Sequence, residues 1–232
     1  LGTHPVRDMP RPERVVQLCH PDIRNEFPPL RTAKVVRSHN LPAQLTSFIG
    51  RGDQLGEVRR LLLANRLVTL TGAGGAGKTR LAVEVATQLP DEFADGVWWV
   101  DLAAVALTVA RTLGLPDQTG RTPLETVQRF IGDRKILLLL DNCEHLLDVS
   151  GDIITRLLSS CPQLTILTTS REPIALSGEV TWRVPSLSFQ DEAVALFTDR
   201  AQRARPTFLA VGDDAELLAE ICRRLDGMPL AI

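Results

Sequence analysis

The residues best suited to chemistry in this 232-residue chain close a glycine run. Gly72-Ala73-Gly74-Gly75-Ala76-Gly77-Lys78-Thr79 satisfies G-x-x-x-x-G-K-[S/T] at every position. An apolar run precedes it and a helical pattern follows, the setting in which this motif wraps a polyphosphate. A triphosphate needs a ring of backbone N–H donors, and β-carbons would obstruct that wrap. The helix after the loop adds its positive N-terminal end. Lys78 is expected at the β- and γ-phosphates as a mobile point charge, with Arg80 beside it as a further nucleotide contact. The Thr79 hydroxyl is expected on Mg²⁺. The ligand this chemistry fits is a purine nucleoside triphosphate, ATP with Mg²⁺. The competing reading is a bare glycine-rich turn.

Ile136-Leu137-Leu138-Leu139-Leu140-Asp141 is a hydrophobic strand that ends in a carboxylate. In an open parallel sheet such a strand delivers its acid to the edge where ligands collect, and Asp141 is expected to hold Mg²⁺ through water. The alternative is an Asp that merely caps the next turn. Asn142 cannot accept a proton from an attacking water, which argues for slow turnover. Glu144 could accept one if its turn aims inward; otherwise it is a solvated residue favoured by a helix dipole. His145 reads as a local cap or surface group. Thr168-Thr169-Ser170-Arg171 ends another apolar strand. Arg171 is placed to sense a γ-phosphate, or else is a surface arginine paired with Glu172 or Glu179. Trp98 and Trp99 read as packing.

These residues need elements to position them. Apolar runs predict strands over 67–71, 97–101, 135–140, 164–169 and 180–184. Apolar spacing of three and four predicts helices over 53–65, 78–89, 105–113, 122–131, 152–160, 188–203 and 213–225. Thr122, Pro123 and Glu125 make a capping box with proline in the first turn. Ser188 is expected to cap its helix, and Gly227 and Pro229 stop the last one. Continuously apolar strands alternating with helices imply an α/β three-layer sandwich, with a mostly parallel five-stranded sheet covered on both faces.

The bulk properties set limits. Hydrophobic residues make up 44% of the chain and the net charge is −2, so one sizeable core is affordable and no strongly basic nucleic-acid surface is implied. The stretch 1–40 carries an excess of arginine and several prolines, and reads as a solvated linker region. Cys19, Cys143, Cys161 and Cys222 lack CxxC or zinc-ligand spacing, so they read as small thiols in a reducing, cytoplasmic setting. No apolar run reaches the length that spans a membrane. The start at Leu1 reads as an internal fragment of a longer protein.

Several separated segments then agree with one family. The chain resembles the signal-transduction ATPases with numerous domains (STAND), specifically bacterial relatives of the NB-ARC proteins, and among them large actinobacterial transcriptional regulators of the LuxR/AfsR type. The resemblance covers about residues 41–232. It rests on Phe48-Ile49-Gly50-Arg51, on Gly72–Thr79 (Walker A), on Ile136–Asn142 with Glu144-His145-Leu146 (Walker B), on Thr168–Arg171, and on Gly227-Met228-Pro229-Leu230-Ala231-Ile232. It implies a five-stranded P-loop sheet that traps ATP or ADP, with exchange or hydrolysis flipping a regulatory switch. It also implies Ile49, Gly50, Arg51 and Pro229 near the adenine, and Arg171 near the γ-phosphate. The family usually has an acid directly after Gly-Arg, where this chain has Gly52. Many relatives carry a second acid after the Walker B Asp, where this chain has Asn142. Residues 101–105 are short for a strand-to-helix connection of this family. Residues 1–30 resemble the C-terminal end of a class III nucleotide cyclase, without any of its metal or base-recognition residues.

The expected organisation is a tail over 1–30, a linker over 31–45, and a P-loop NTPase domain over 46–232 that is cut short at its C-terminal end. Its expected partners are nucleotide and other domains of the same chain. DNA contact is expected only through domains outside this fragment, and self-association on activation is left open. The runner-up reading is an ATP-consuming enzyme such as a kinase or translocating ATPase, which should turn over far faster than a switch.

Overall fold

The computed structural model describes residues 2–4, 13–15, 39–101, 113, 122–145, 147–209 and 214–232. Contacts divide the chain into two units, 1–37 and 38–232. Within the first, β1 (Gly2–His4) and β2 (Glu13–Val15) pair antiparallel, with Thr3 opposite Arg14. Cys19 and the rest of the proline-rich stretch to residue 38 lie outside the described residues, as do residues 105–112 of the helix expected over 105–113.

The second unit runs α1 (Gly52–Ala64), β3 (Leu67–Thr71), α2 (Lys78–Thr87), β4 (Val97–Asp101), α3 (Pro123–Ile131), β5 (Leu137–Asp141), α4 (Leu147–Ser160), β6 (Thr165–Thr169), β7 (Val180–Arg183), α5 (Glu192–Ala204) and α6 (Asp214–Arg224). The five strands β3 to β7 form one sheet in the order β4-β5-β6-β3-β7, and every pairing is parallel. The α/β fold expected from the alternation is therefore present, with no antiparallel strand in the sheet.

Its two faces explain the apolar strands. On β5, Leu137 and Leu139 enter a core with Val58 and Leu62 of α1 and Leu81 and Val85 of α2. Leu138 and Leu140 enter the opposite core, with Val127 and Ile131 of α3 and Ile154 and Leu157 of α4. A strand whose alternate side chains both meet helices must be apolar throughout. Trp98 packs into one core and Trp99 into the other. A third, smaller core joins α5 and α6 through Leu187, Ala193, Leu196 and Cys222, and Ile49 packs against it.

Three boundaries differ from expectation. α4 begins at Leu147, five residues early, because Gly151 sits inside it rather than ending a loop. A β-carbon there would meet Leu176 Cδ2 at 3.5 Å, an ordinary van der Waals contact, so the position tolerates the helix without strain. α5 starts at Glu192 with Asp191, not Ser188, at its N-cap and no side-chain cap there; Ser188 and Glu192 instead bond each other across the preceding turn. The Ser188 hydroxyl accepts from the Glu192 N–H (3.1 Å), while Glu192 Oε2 accepts from the Ser188 N–H (3.1 Å). Near β4, Asn40 holds the Trp99 backbone from both sides, donating to its carbonyl (2.7 Å) and accepting its N–H (2.6 Å). Residues expected as linker therefore run along the sheet edge.

Candidate functional site

β3 and α2 are joined by the glycine loop at the C-terminal edge of the sheet. Gly72, Gly75 and Gly77 all take positive φ, which disfavours any side chain there. Gly77 is the N-cap of α2 and leaves that helix's first N–H groups facing outward without a side-chain cap. A β-carbon on Gly74 would meet nothing within 4 Å. Lys78 Nζ donates to the carbonyls of Gly72 and Ala73, both at 3.0 Å. Burial pulls its pKa down, opposed by Glu144 and Asp141 and helped by Arg171.

Asp141 closes β5 and is 3% exposed. The Thr79 hydroxyl donates to its Oδ1 at 2.8 Å, and the Thr169 hydroxyl donates to the same oxygen. The strand order brings Thr169 there, because β6 lies between β3 and β5. Asn142 adopts a left-handed φ of 60°, and its N–H donates to Thr169 Oγ1 (3.1 Å). Asp141 thus faces the phosphate loop and does not cap the next turn. Among the described residues no group of three or more His, Cys, Asp or Glu side chains is arranged to hold a metal. Thr79 with Asp141 is the pair that could share one. The described cysteines are free and buried, and burial pushes the Cys143 thiol up to about 12, as expected of packing thiols.

The loop opens on a cavity of about 500 Å³, within the range of small-molecule sites. Of the sequence candidates, its walls include Ile49, Arg51, Gly74, Gly75, Gly77, Lys78, Thr79, Arg80, Glu144, Arg171 and Pro229. Gly50, Gly72, Ala73, Ala76 and Asp141 are not on its wall. Gly50 instead packs under the Glu192 side chain, while Ala73 and Ala76 border a separate cavity of about 330 Å³ beside Val184 and Met228.

Arg51, expected beside a base, is 3% exposed and committed to the fold. Its Nη2 donates to the carbonyls of Ala76 (2.8 Å) and Pro185 (3.0 Å), and its backbone N–H donates to Glu192. Desolvation lowers its pKa against the pull of Glu192. Arg80 likewise donates to the carbonyls of Thr46 and Ser47 (2.7 Å for the latter). Both arginines fasten the segment before α1 over the loop. Pro229 arrives from the far end of the chain, where the Leu230 N–H donates to the Gly75 carbonyl at 3.2 Å.

Arg171 pairs with Glu144 at 3.3 Å. Glu179 is unavailable to it, because its oxygens accept from the N–H groups of Ile174 (3.0 Å) and Ala175 (2.8 Å). Sequence reasoning missed Ser47, Leu187, Leu196 and Arg200 on the cavity wall. No motif marks them: Ser47 comes with the segment that Arg80 holds before α1, while Leu187 and Leu196 belong to the small core that packs against Ile49.

A five-stranded parallel sheet with this loop between an interior strand, β3, and the next helix defines a P-loop ATPase fold. Solved structures agree. A STAND protein with a tetratricopeptide repeat sensor from Pyrococcus horikoshii matches with a TM-score of 0.55 at 17% identity, over 81% of this chain and 29% of that one. A Walker-type ATPase of Pyrococcus abyssi matches with a TM-score of 0.52 at 15% identity, over 83% of this chain and 69% of that one. By sequence, a Mycobacterium tuberculosis protein named "Putative HTH-type transcriptional regulator" is 56% identical over 181 residues, 75% of this chain and 20% of the relative. An uncharacterized protein of the same organism is 50% identical over 220 residues, 92% of this chain and 56% of the relative. The chain therefore spans a fifth of one relative and just over half of the other. No family model matches it. These likenesses give no support to a cyclase origin for residues 1–30. Among the described residues no helix is long and apolar enough to cross a membrane.

Proposed function

We propose that the unit over 38–232 is an adenine-nucleotide switch that binds ATP or ADP with Mg²⁺, turns ATP over slowly, and serves regulation within a longer protein. One observation carries this reading. The uncapped start of α2, Lys78 and Thr79 line a cavity of about 500 Å³, and the Thr79 hydroxyl is bonded to Asp141 behind that wall. The helix start and Lys78 suit anionic phosphate, Thr79 with Asp141 suits its Mg²⁺, and Ile49, Leu196 and Pro229 on the same cavity leave room for a base. Lys78 would exchange its two loop carbonyls for phosphate oxygens. Thr79 and Asp141 would hold Mg²⁺, which keeps most of its waters and needs only one or two protein oxygens. Bound there, the ion would offset phosphate charge.

The regulatory part rests on the STAND and NB-ARC resemblance and on the relative named as a transcriptional regulator. In that reading DNA is contacted by other domains. Calorimetric titration with ATP, ADP and GTP, with and without Mg²⁺, tests the proposal. Saturable binding that prefers adenine is the expected result. GTP bound as well as ATP would remove the adenine assignment, and turnover in the kinase range of roughly 1–100 s⁻¹ would replace the switch with an ATP-consuming enzyme.

A further inference from the structure

One carboxylate on the cavity wall has an oxygen without a partner. Asn142 turns the chain through the left-handed region directly after β5. Cys143 then plugs into the core, fully buried, with Sγ 3.6 Å from the Leu140 carbonyl. With the turn anchored on that side, Glu144 faces the cavity, its side chain only 12% exposed. Glu144 Oε1 receives Arg171 Nε at 3.3 Å. Glu144 Oε2 is buried and has no hydrogen-bond partner, a condition uncommon enough in folded proteins to need a reason. Among the described residues that line the cavity, Glu144 is the sole carboxylate. Asn142, directly after Asp141, carries an amide that cannot take a proton.

Arg171 is the other half of the arrangement. Its side chain is 65% exposed, and among the described residues its one ion pair is with Glu144. An ion pair so open to water is weakly held, and an arginine fork prefers the geometry of a phosphate where one is offered.

We propose that Glu144 is the general base for hydrolysis of the γ-phosphate, and that its ion pair with Arg171 restrains it until a γ-phosphate draws Arg171 away. This rests on the nucleotide reading above. In the reaction, the water oxygen forms a bond to Pγ as Glu144 Oε2 accepts one of the water's protons. The bond from Pγ to the β,γ-bridging oxygen breaks, and its electron pair leaves with ADP. Glu144 then returns the proton to the phosphate product or to solvent. A base four positions past the end of the apolar run, on a turn and half-held by an arginine, suits a slow and conditional hydrolysis.

The test combines affinity and single-turnover measurements on Glu144→Gln and Arg171→Met, with Lys78→Ala as the control for binding. Glu144→Gln should still bind both nucleotides. It should favour ATP over ADP at least about threefold more than the parent does, because Arg171 is released to the γ-phosphate. Its hydrolysis should fall by about 100-fold, the lower end of what a general base contributes. Glu144→Asp should recover part of the rate, and Arg171→Met should lose the preference for ATP. Hydrolysis by Glu144→Gln at the parent rate would overturn the base assignment, as would a parent chain that binds ATP yet never hydrolyses it. An unchanged ATP-to-ADP ratio in Glu144→Gln would overturn the restraint. If the parent chain and Lys78→Ala alike bind nothing, the nucleotide reading itself has failed, an outcome distinct from either of these.

Discussion

At Asp141 Oδ1 two threonine hydroxyls converge, from Thr79 on α2 and Thr169 on β6. The acid is thereby fixed without a cation of its own, and its second oxygen has only Asn142 Nδ2 at 3.5 Å. Replacing the carboxylate by an amide keeps the shape and removes the charge that would hold Mg²⁺. Asp141→Asn is therefore expected to weaken ATP binding in the presence of Mg²⁺ more than in its absence; equal losses in a calorimetric titration would make Asp141 a structural residue. Lys78 presents a different balance. Its two carbonyl partners belong to the loop itself, so the bonds given up to a phosphate are intramolecular and weaker than those gained with an anion. Hydrogen bonds to charged groups contribute about 1.5–3 kcal/mol each, so Lys78→Ala should lower ATP affinity by about 100-fold. Retained affinity would remove the loop from the binding site. The residue scale also separates what adjacent residues reveal from what only the fold reveals. Residues of Walker A were legible because one turn needs them as neighbours. The destination of Arg171 was not: both sequence-local acids were candidates, yet the partner is Glu144, brought in by the pairing of β5 with β6.

Elements were legible where one physical signal dominates. β5 and β6 are apolar on both faces because helices cover both, and their positions were readable to within two residues. α3 carries its start in its sequence: Thr122 Oγ1 accepts from the Glu125 N–H (3.3 Å), and Glu125 Oε2 accepts from the Thr122 N–H (2.8 Å). Thr122→Ala should cost about 1 kcal/mol, a fall of about 2–4 °C in Tm for a chain of this size, with ATP affinity unchanged because α3 lies on the face away from α2. A drop in affinity equal to the loss in stability would show instead that α3 supports the site. Signals that depend on tertiary packing were misread. Gly151 resembles a helix breaker in isolation, yet it lies inside α4, packed at ordinary contact distance from Leu176. Ser188, expected to cap α5, instead pairs reciprocally with Glu192 across the turn before it, and the helix begins after Asp191.

At the scale of the molecule, the cavity lies where two cores meet. One is the layer formed by α1, α2 and the sheet; the other is the small α5–α6 core that includes Ile49. Few covalently local features hold these together at the site. Arg51 joins the loop to Pro185, Glu192 joins Arg51 to Ser188, and the Leu230 N–H joins the end of the chain to Gly75. Gly227 lets the end of the chain pack tightly on Leu187, since a β-carbon on it would fall 2.4 Å from the Leu187 carbonyl. A ligand touching Ile49, Lys78, Leu196 and Pro229 at once would bridge both cores and should stabilise them as one cooperative unit. Binding to the folded state alone adds about 2.7 kcal/mol when ligand is present at about a hundred times its Kd. For a chain of this length that corresponds to a rise in Tm of about 5–10 °C, seen as a single transition by scanning calorimetry. The rise should persist with ADP, should vanish in Lys78→Ala, and should be smaller in Gly227→Ala, where the end of the chain is displaced from the loop. Two transitions that separate on adding ATP would mean that nucleotide engages only the sheet core, and that the wall built by α5, α6 and Pro229 takes no part in holding the base.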